Sequence, residues 1–348
     1  MDLFFIILIT LVLFYLLAIV CDEFFVPAID VLSEKLKLPS DVAGATLLAA
    51  GSSAPELFAS TIAIFGLAGA SADIGSGTIV GSAIFNILVI IGVSALFKSV
   101  VLQWKPVVRD LTFYVLTILL LLFVFQDGSI TIIEAGSFIV LYATYIYATL
   151  NWKKWFDYED VKKSEDFEAI SPKGFTLIVR RSIGYVIPDV KKKPNQYLVT
   201  FFLSIIAIAV ASYFLVEQLI HAADILSINP TFLALTVLAA GTSLPDLIGS
   251  IIVAKQGRGD MAVANAVGSN IFDILFGLGV PWFAYLLING GNIKVSNENL
   301  ISSILLLLAT VIAIVVLLII RKWKIGNRSG FLLIALYVAY VIYIILQN

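Results

Sequence analysis

The sequence predicts an all-α membrane protein whose ten transmembrane helices form two inverted five-helix repeats, with broken helices 2 and 7. Three features carry this prediction. Of 348 residues, 60% are apolar and 13% charged, against about 45–50% and about 25% in an ordinary soluble domain, and the mean hydropathy is +1.03. Lysine and arginine are confined almost wholly to alternate connections between apolar stretches. Two pairs of closely similar motifs recur half a chain apart. The formal net charge of −2 offers no basic face to nucleic acid, and the lone Cys21 and His221 supply neither a disulfide nor a thiolate or imidazole metal site.

Apolar stretches at 3–21, 41–66, 77–97, 106–126, 130–150, 197–220, 230–254, 262–288, 299–320 and 329–346 are each read as one span. The first has no basic leader and runs into Asp22 and Glu23 without a small-residue cleavage pattern, so it reads as a span and not a signal peptide. The first, third, fifth, seventh and ninth connections together hold 21 of the 22 Lys and Arg, and Lys294 is the exception. Basic loops stay on the cytoplasmic side. The expectation is therefore a multi-pass protein of the cell membrane with both termini extracellular. Residues 1–150 form the first repeat, 151–196 a cytoplasmic loop and 197–348 the second repeat. The loop reads as a solvated connection. Alternatively Arg180, Arg181, Lys191, Lys192 and Lys193, beside the apolar run 175–179, form an amphipathic segment on anionic lipid.

The repeat places the chemistry. Residues 46–60 read TLLAAGSSAPELFAS and 236–250 read TVLAAGTSLPDLIGS; VGSAIFNIL at 80–88 matches VGSNIFDIL at 267–275. The first pair is offset by 190 positions and the second by 187, so the first copy is three residues longer between its motifs. The copies start on spans two and seven. Five spans apart is an odd number, which turns the second copy upside down, the architecture of secondary transporters. Pro55 and Pro245 lack an N–H and follow Gly51 and Gly241 by four residues, so each span should break there and free carbonyls near 49–52 and 239–242. Around the breaks stand the carboxylates Glu56 and Asp246 and the hydroxyls Ser52, Ser53, Thr242 and Ser243. Spans three and eight add Ser82 with Asn86 and Ser269 with Asp273, each pair four residues apart and so on one helix face. A capping box with proline at the first helical position describes the same letters. It leaves unexplained why a cap recurs in mid-span, where a carboxylate costs about 2.5–3.5 kcal/mol.

All-oxygen ligands without histidine or thiolate select hard cations, Ca2+, Na+ and K+, and a flexible many-oxygen shell suits Ca2+ better than Mg2+. Three carboxylates are balanced by one Ca2+ plus one monovalent cation, or by three Na+, so such a site can trade one ion set for another. The segments GSSAPELFAS, GTIVGSAIFNIL, GTSLPDLIGS and VGSNIFDIL resemble the two alpha repeats of the calcium/cation antiporter superfamily. The acid after each proline, with CDEFFVPA at 21–28 and DVAGATLLAAG at 41–51, resembles the potassium-dependent sodium/calcium exchangers in particular. The resemblance implies a secondary antiporter exchanging Na+ for Ca2+, with K+ carried alongside Ca2+, by alternating access. It implies a central calcium site at Glu56 and Asp246, with Ser52, Ser53, Thr242, Ser243, Asn86 and Asp273 around it and the carbonyls of Ala49 and Ala239 completing it. It further implies that Asp273 governs potassium and that spans one and six slide across the core. Asp22, Glu23 and Glu217, near the ends of those spans, belong to that movement or are interfacial acids.

No cofactor is expected. The expected partners are inorganic cations and the bilayer, with no nucleic acid and no obligatory protein partner. The alternatives are a potassium-independent sodium/calcium exchanger or a proton/calcium antiporter, and then a cation channel, which would use rings of groups from several subunits. An enzyme is disfavoured: Gly257-Arg258-Gly259-Asp260 spells the GxGD string of intramembrane aspartyl proteases, but in a cytoplasmic connection beside Lys255, and no apolar span supplies a Tyr-Asp partner.

Overall fold

Lipid offers no partners to a backbone, so an apolar chain closes its hydrogen bonds within helices. The computed structural model of the protein describes residues 3–65, 72–97, 100–160, 175–226, 236, 239–295 and 298–347. In chain order the helices are α1 (Leu3–Leu36), α2 (40–52), α3 (Ala54–Phe65), α4 (72–97), α5 (Trp104–Val124), α6 (Ile132–Trp155), α7 (Phe175–Ile183), α8 (Tyr197–Ile225), α9 (Ala239–Thr242), α10 (Leu244–Lys255), α11 (Gly259–Asn289), α12 (Glu298–Ile320) and α13 (Asn327–Gln347). Eight helices among the described residues are long and apolar enough to cross a membrane. The expected spans missing from that set are the second and seventh. Each is divided, at Ser53 between α2 and α3 and at Ser243 between α9 and α10. The start of the expected seventh span, before Thr236, lies outside the described residues, as do residues 66–71 within the longer first-copy loop.

Helix α1 is longer than its apolar stretch and runs on through Pro27 to Leu36. Proline offers no N–H to the carbonyl four residues back. The π-helical turn Cys21–Phe25 immediately before it takes up the mismatch. Similar turns occur at Gly44–Leu48 in α2, Asn86–Ile90 in α4 and Asp273–Leu278 in α11. Along α1 lies α8, joined to it by the stacked rings of Phe25 and Phe201, 5.8 Å apart. Glu23 is not a solvated interfacial acid. It is 8% exposed and forms an ion pair with Arg180 (Nε–Oε2 2.9 Å), which fastens α7 to α1.

Arg109, which falls in the stretch 106–126 yet counts among the basic residues of the third connection, is buried inside α5. Its guanidinium is paired to Asp110 (Nε–Oδ1 2.8 Å) and to Asp41 of α2 (3.1 Å). Tyr145 donates to Asp110 at 3.1 Å and Tyr158 to Asp41 at 3.0 Å. Tyr158 lies outside the spans, and burial, followed by the nearby Asp41 charge, pushes its phenol above the ordinary range. A buried cation is tolerable only when its partners are this complete.

The connections also find one another. Asp30 accepts from Arg258 at 2.6 Å, and Ser40 N–H donates to Asp160 at 2.9 Å. Trp152 donates to the Lys105 carbonyl at 3.0 Å. Strand β1 (Val100–Val101) pairs antiparallel with β4 (Lys324–Ile325), and β2 (Ser129–Ile130) with β3 (Ile293–Lys294).

Small residues let α2 and α11 touch backbone to backbone. A Cβ on Gly268 would stand 2.7 Å from the Ala45 Cα and carbonyl oxygen, and one on Gly44 2.5 Å from the Met261 carbonyl oxygen. Gly268→Val should therefore lower the melting temperature in detergent by the equivalent of about 1–3 kcal/mol or more, as overpacking does. Gly136→Ala, whose nearest contact would be an ordinary 3.6 Å, should leave the melting temperature unchanged or slightly raised.

Candidate cation site

The two breaks bring the site into being. Pro55 and Pro245 cannot donate to the carbonyls of Gly51 and Gly241, and the serine two residues before each proline takes the same sparsely populated conformation. Ser53 has φ −84° and ψ 9°, Ser243 φ −80° and ψ 5°. The helix then restarts, placing Glu56 in the first turn of α3 and Asp246 in the first turn of α10. The carbonyls freed are those four residues before each proline. Ala49 and Ala239 still accept their own helical bonds, from Ser53 N–H at 3.0 Å and Ser243 N–H at 3.3 Å. A second lone pair on each remains for a further partner.

Glu56, Asp246 and Asp273 each bring a carboxylate oxygen within 4.8 Å of the others, and all three are buried. The remaining residues singled out in the sequence are buried too, and their polar contacts knit the acids together. Ser52 Oγ makes a short contact with Asp246 Oδ1 and also reaches back to the Leu48 carbonyl at 2.6 Å. Asn86 Nδ2 donates to Asp246 Oδ2 at 3.2 Å and to Ser269 Oγ at 3.1 Å. Ser82 and Ser243 share a hydrogen bond of 2.5 Å, and Ser243 Oγ donates to Glu56 Oε1 at 3.4 Å. The Ser243 side chain makes no cap bond to α10, so the capping-box reading fails there: its hydroxyl is turned inward to the acids. Thr242 Oγ1 donates to the Ala239 carbonyl at 3.3 Å.

Several buried oxygens have no hydrogen-bond partner among the described residues: Glu56 Oε2, both oxygens of Asp273, Asn86 Oδ1 and Ser53 Oγ. Buried polar atoms are nearly always satisfied. Oxygens gathered in this way beside three acids could hold a cation, because a cation satisfies oxygens without needing a hydrogen. Asn86 and Asp273 occupy equivalent places in the two repeats, and each opens a π-helical turn, a feature that recurs at functional sites.

Sequence reasoning overlooked two asparagines and a tyrosine. Asn265 Nδ2 donates to Ser250 Oγ at 2.9 Å and to the Asp246 carbonyl at 3.3 Å, clamping α10 onto α11. Asn270 and Tyr114, both fully buried, stand behind Asn86. Asn265 and Asn270 lie in the conspicuous stretch around VGSNIFDIL, and a buried amide in a span is a signal in itself. Tyr114 lies in a run with no motif.

Fold and site together define a multi-pass membrane protein with a buried, acidic, oxygen-lined locus between broken helices. The family described as sodium/calcium exchanger protein matches residues 6–151 and 196–346, and the chain belongs to it: a membrane ion exchanger and not an enzyme. Sodium/potassium/calcium exchanger 1 of Gallus gallus is 29% identical over 94% of this chain and 76% of its own length. Sodium/potassium/calcium exchanger 4 of Mus musculus is 30% identical, with 97% and 80% covered. Among solved structures, the sodium-calcium exchanger NCX_Mj soaked with 2.5 mM Na+ and 10 mM Sr2+ has the same fold, with a TM-score of 0.67 at 23% identity over 98% of this chain and 99% of that one.

If the inward-turned Ser243 hydroxyl helps hold Glu56 in place, Ser243→Ala should keep the folded yield and raise the cation concentration needed to stabilise the protein against heat by about threefold to tenfold, the range for one lost ordinary hydrogen bond. A thermal titration of the purified variant with Ca2+ and Na+ checks this.

Proposed function

We propose that the chain is a secondary antiporter that exchanges Na+ for Ca2+ across the cell membrane, carries K+ together with Ca2+, and works by alternating access. The observation that carries this reading is the meeting of Glu56, Asp246 and Asp273 within 4.8 Å, with carboxylate oxygens of Glu56 and Asp273 left unpartnered. Such a locus needs positive charge in either occupied state. One Ca2+ with one K+, or three Na+, supplies it, and a carrier that is stable only when loaded couples the two fluxes. Both sodium/potassium/calcium exchangers described above are named for these three ions, which supports the choice of cargo.

In this reading Glu56 and Asp246 hold Ca2+. Ser52, Ser53, Thr242, Ser243, Ser82, Ser269 and Asn86 complete the shell, with the second lone pairs of the Ala49 and Ala239 carbonyls. Asp273 holds the potassium. The ten spans form two inverted halves, 1–150 and 197–348, joined by the cytoplasmic loop 151–196, with both termini outside. The pairing of connections supports that alternation. The first meets the fifth through Ser40–Asp160 and the seventh through Asp30–Arg258. The third meets the ninth through β1 and β4, and the fourth meets the eighth through β2 and β3.

The decisive experiment is calcium uptake into sodium-loaded proteoliposomes, with external K+ present or absent and the pH gradient collapsed. Glu56→Gln and Asp246→Asn should each cut uptake about tenfold or more, the loss for one charged ligand, with membrane insertion intact; robust uptake by both would reject the site. Asp273→Asn should retain sodium-driven calcium uptake while losing its dependence on K+; an unchanged potassium requirement rejects that assignment. Uptake that follows a proton gradient without Na+ would select the proton/calcium alternative.

A further inference from the structure

An asparagine amide can ligate a cation only with its oxygen, and which end of Asn86 faces the acids is decided by the partners of its other end. Asn270 sits behind it. Asn86 Nδ2 lies 2.9 Å from Asn270 Oδ1, and Asn270 Nδ2 lies 3.0 Å from the carbonyl oxygen of Ala83 and 2.9 Å from the Tyr114 hydroxyl. All four residues are buried to within 1% of full occlusion. We propose that Asn270 is a positioning residue: anchored by the backbone carbonyl of Ala83, it locks the Asn86 amide so that Oδ1 is presented as a neutral ligand to the transported cation.

The logic runs outward from the one group that cannot change its character. A backbone carbonyl only accepts, so the Asn270 atom facing Ala83 must be its nitrogen. Its oxygen is thereby turned toward Asn86. Only a nitrogen can meet that oxygen, and the same Asn86 nitrogen also faces the acceptor Asp246 Oδ2 at 3.2 Å. The Asn86 oxygen is left on the other side, buried and without a hydrogen-bond partner, as are oxygens of Glu56 and Asp273. Were Asn86 to turn over, its oxygen would stand against Asn270 Oδ1 and Asp246 Oδ2 at about 3 Å, and its N–H groups would face the cation, a double loss in a medium of low dielectric. Tyr114 can donate or accept and so permits the arrangement without dictating it.

The pseudo-symmetry sharpens the assignment. Ala83 and Asn270 are the same position in the two copies of the VGS motif, as are Asn86 and Asp273. The second copy carries both the acid that ligates in its own right and the amide that disciplines the first copy's weaker ligand.

This inference rests on the exchanger reading, and a double-mutant cycle separates the two. Ca2+-dependent thermal stabilisation of the full-length protein and half-saturating Ca2+ for uptake would be measured for wild type, Asn270→Leu, Asn86→Ala and the double variant, with the ion-free melting temperature as a check on folding. Each single change should raise half-saturating Ca2+ about tenfold. The double variant should be no worse than Asn86→Ala, because no amide remains to orient. Losses that multiply to about a hundredfold, or an Asn270→Leu variant with wild-type affinity, would overturn the proposal while leaving the exchanger reading standing. A wild-type protein that neither binds nor moves Ca2+ would overturn both. Should Asn270→Leu fail to fold, Asn270→Ser, which removes the bridge with less change in shape, takes its place in the same cycle.

Discussion

Three carboxyl groups in an apolar core repel one another, and the rest of the molecule is arranged around that repulsion. At 4.8 Å two full charges cost about 3 to 4 kcal/mol even at an effective dielectric of 20, and three acids make three such pairs. The protein offsets part of this itself. Glu56 and Asp246 stand in the first turns of α3 and α10, where the helix dipole is positive, and serine hydroxyls and an amide reach them. Asp273 lies within the continuous α11, and its two oxygens find no hydrogen-bond partner among the described residues. What compensation remains must come from a proton or a bound cation, and the second is what the proposed exchanger reading uses.

The contrast with the second buried cluster makes the point. Asp41 and Asp110 are also acids inside the helical body, but Arg109, Tyr145 and Tyr158 answer them fully. That cluster finds its guanidinium and hydroxyl partners within the chain and holds α2, α5 and α6 together.

Much of this was legible in the letters. Apolar length located the spans, the prolines located the breaks, and the acids beside them marked the centre, because each signal is local and repeated. The features that escaped detection arise only from packing. Arg109 reads as a loop residue until Asp41, distant in sequence, is seen to meet it. Helix α1 reads as ending near Cys21 because Asp22, Glu23 and Pro27 interrupt the apolar run, yet a π-helical turn and the partner Arg180 carry it to Leu36. Ser243 has the spacing of a cap but finds a better use across the repeat. Asn270 was visible as a letter, but nothing in its neighbourhood reveals that its partner is the backbone of its own repeat mate.

The short ribbons have a mechanical consequence. Each joins a strand from one half of the chain to a strand from the other, β1 with β4 and β2 with β3, and on the proposed topology they lie at opposite faces of the bilayer. The seam between the halves is thus sewn at top and bottom. A seesaw of one half against the other would have to tear both stitches in every cycle. Motion that spares them is confined to elements outside the stitching, and the α1–α8 pair, which contributes no strand to either ribbon, is one of these.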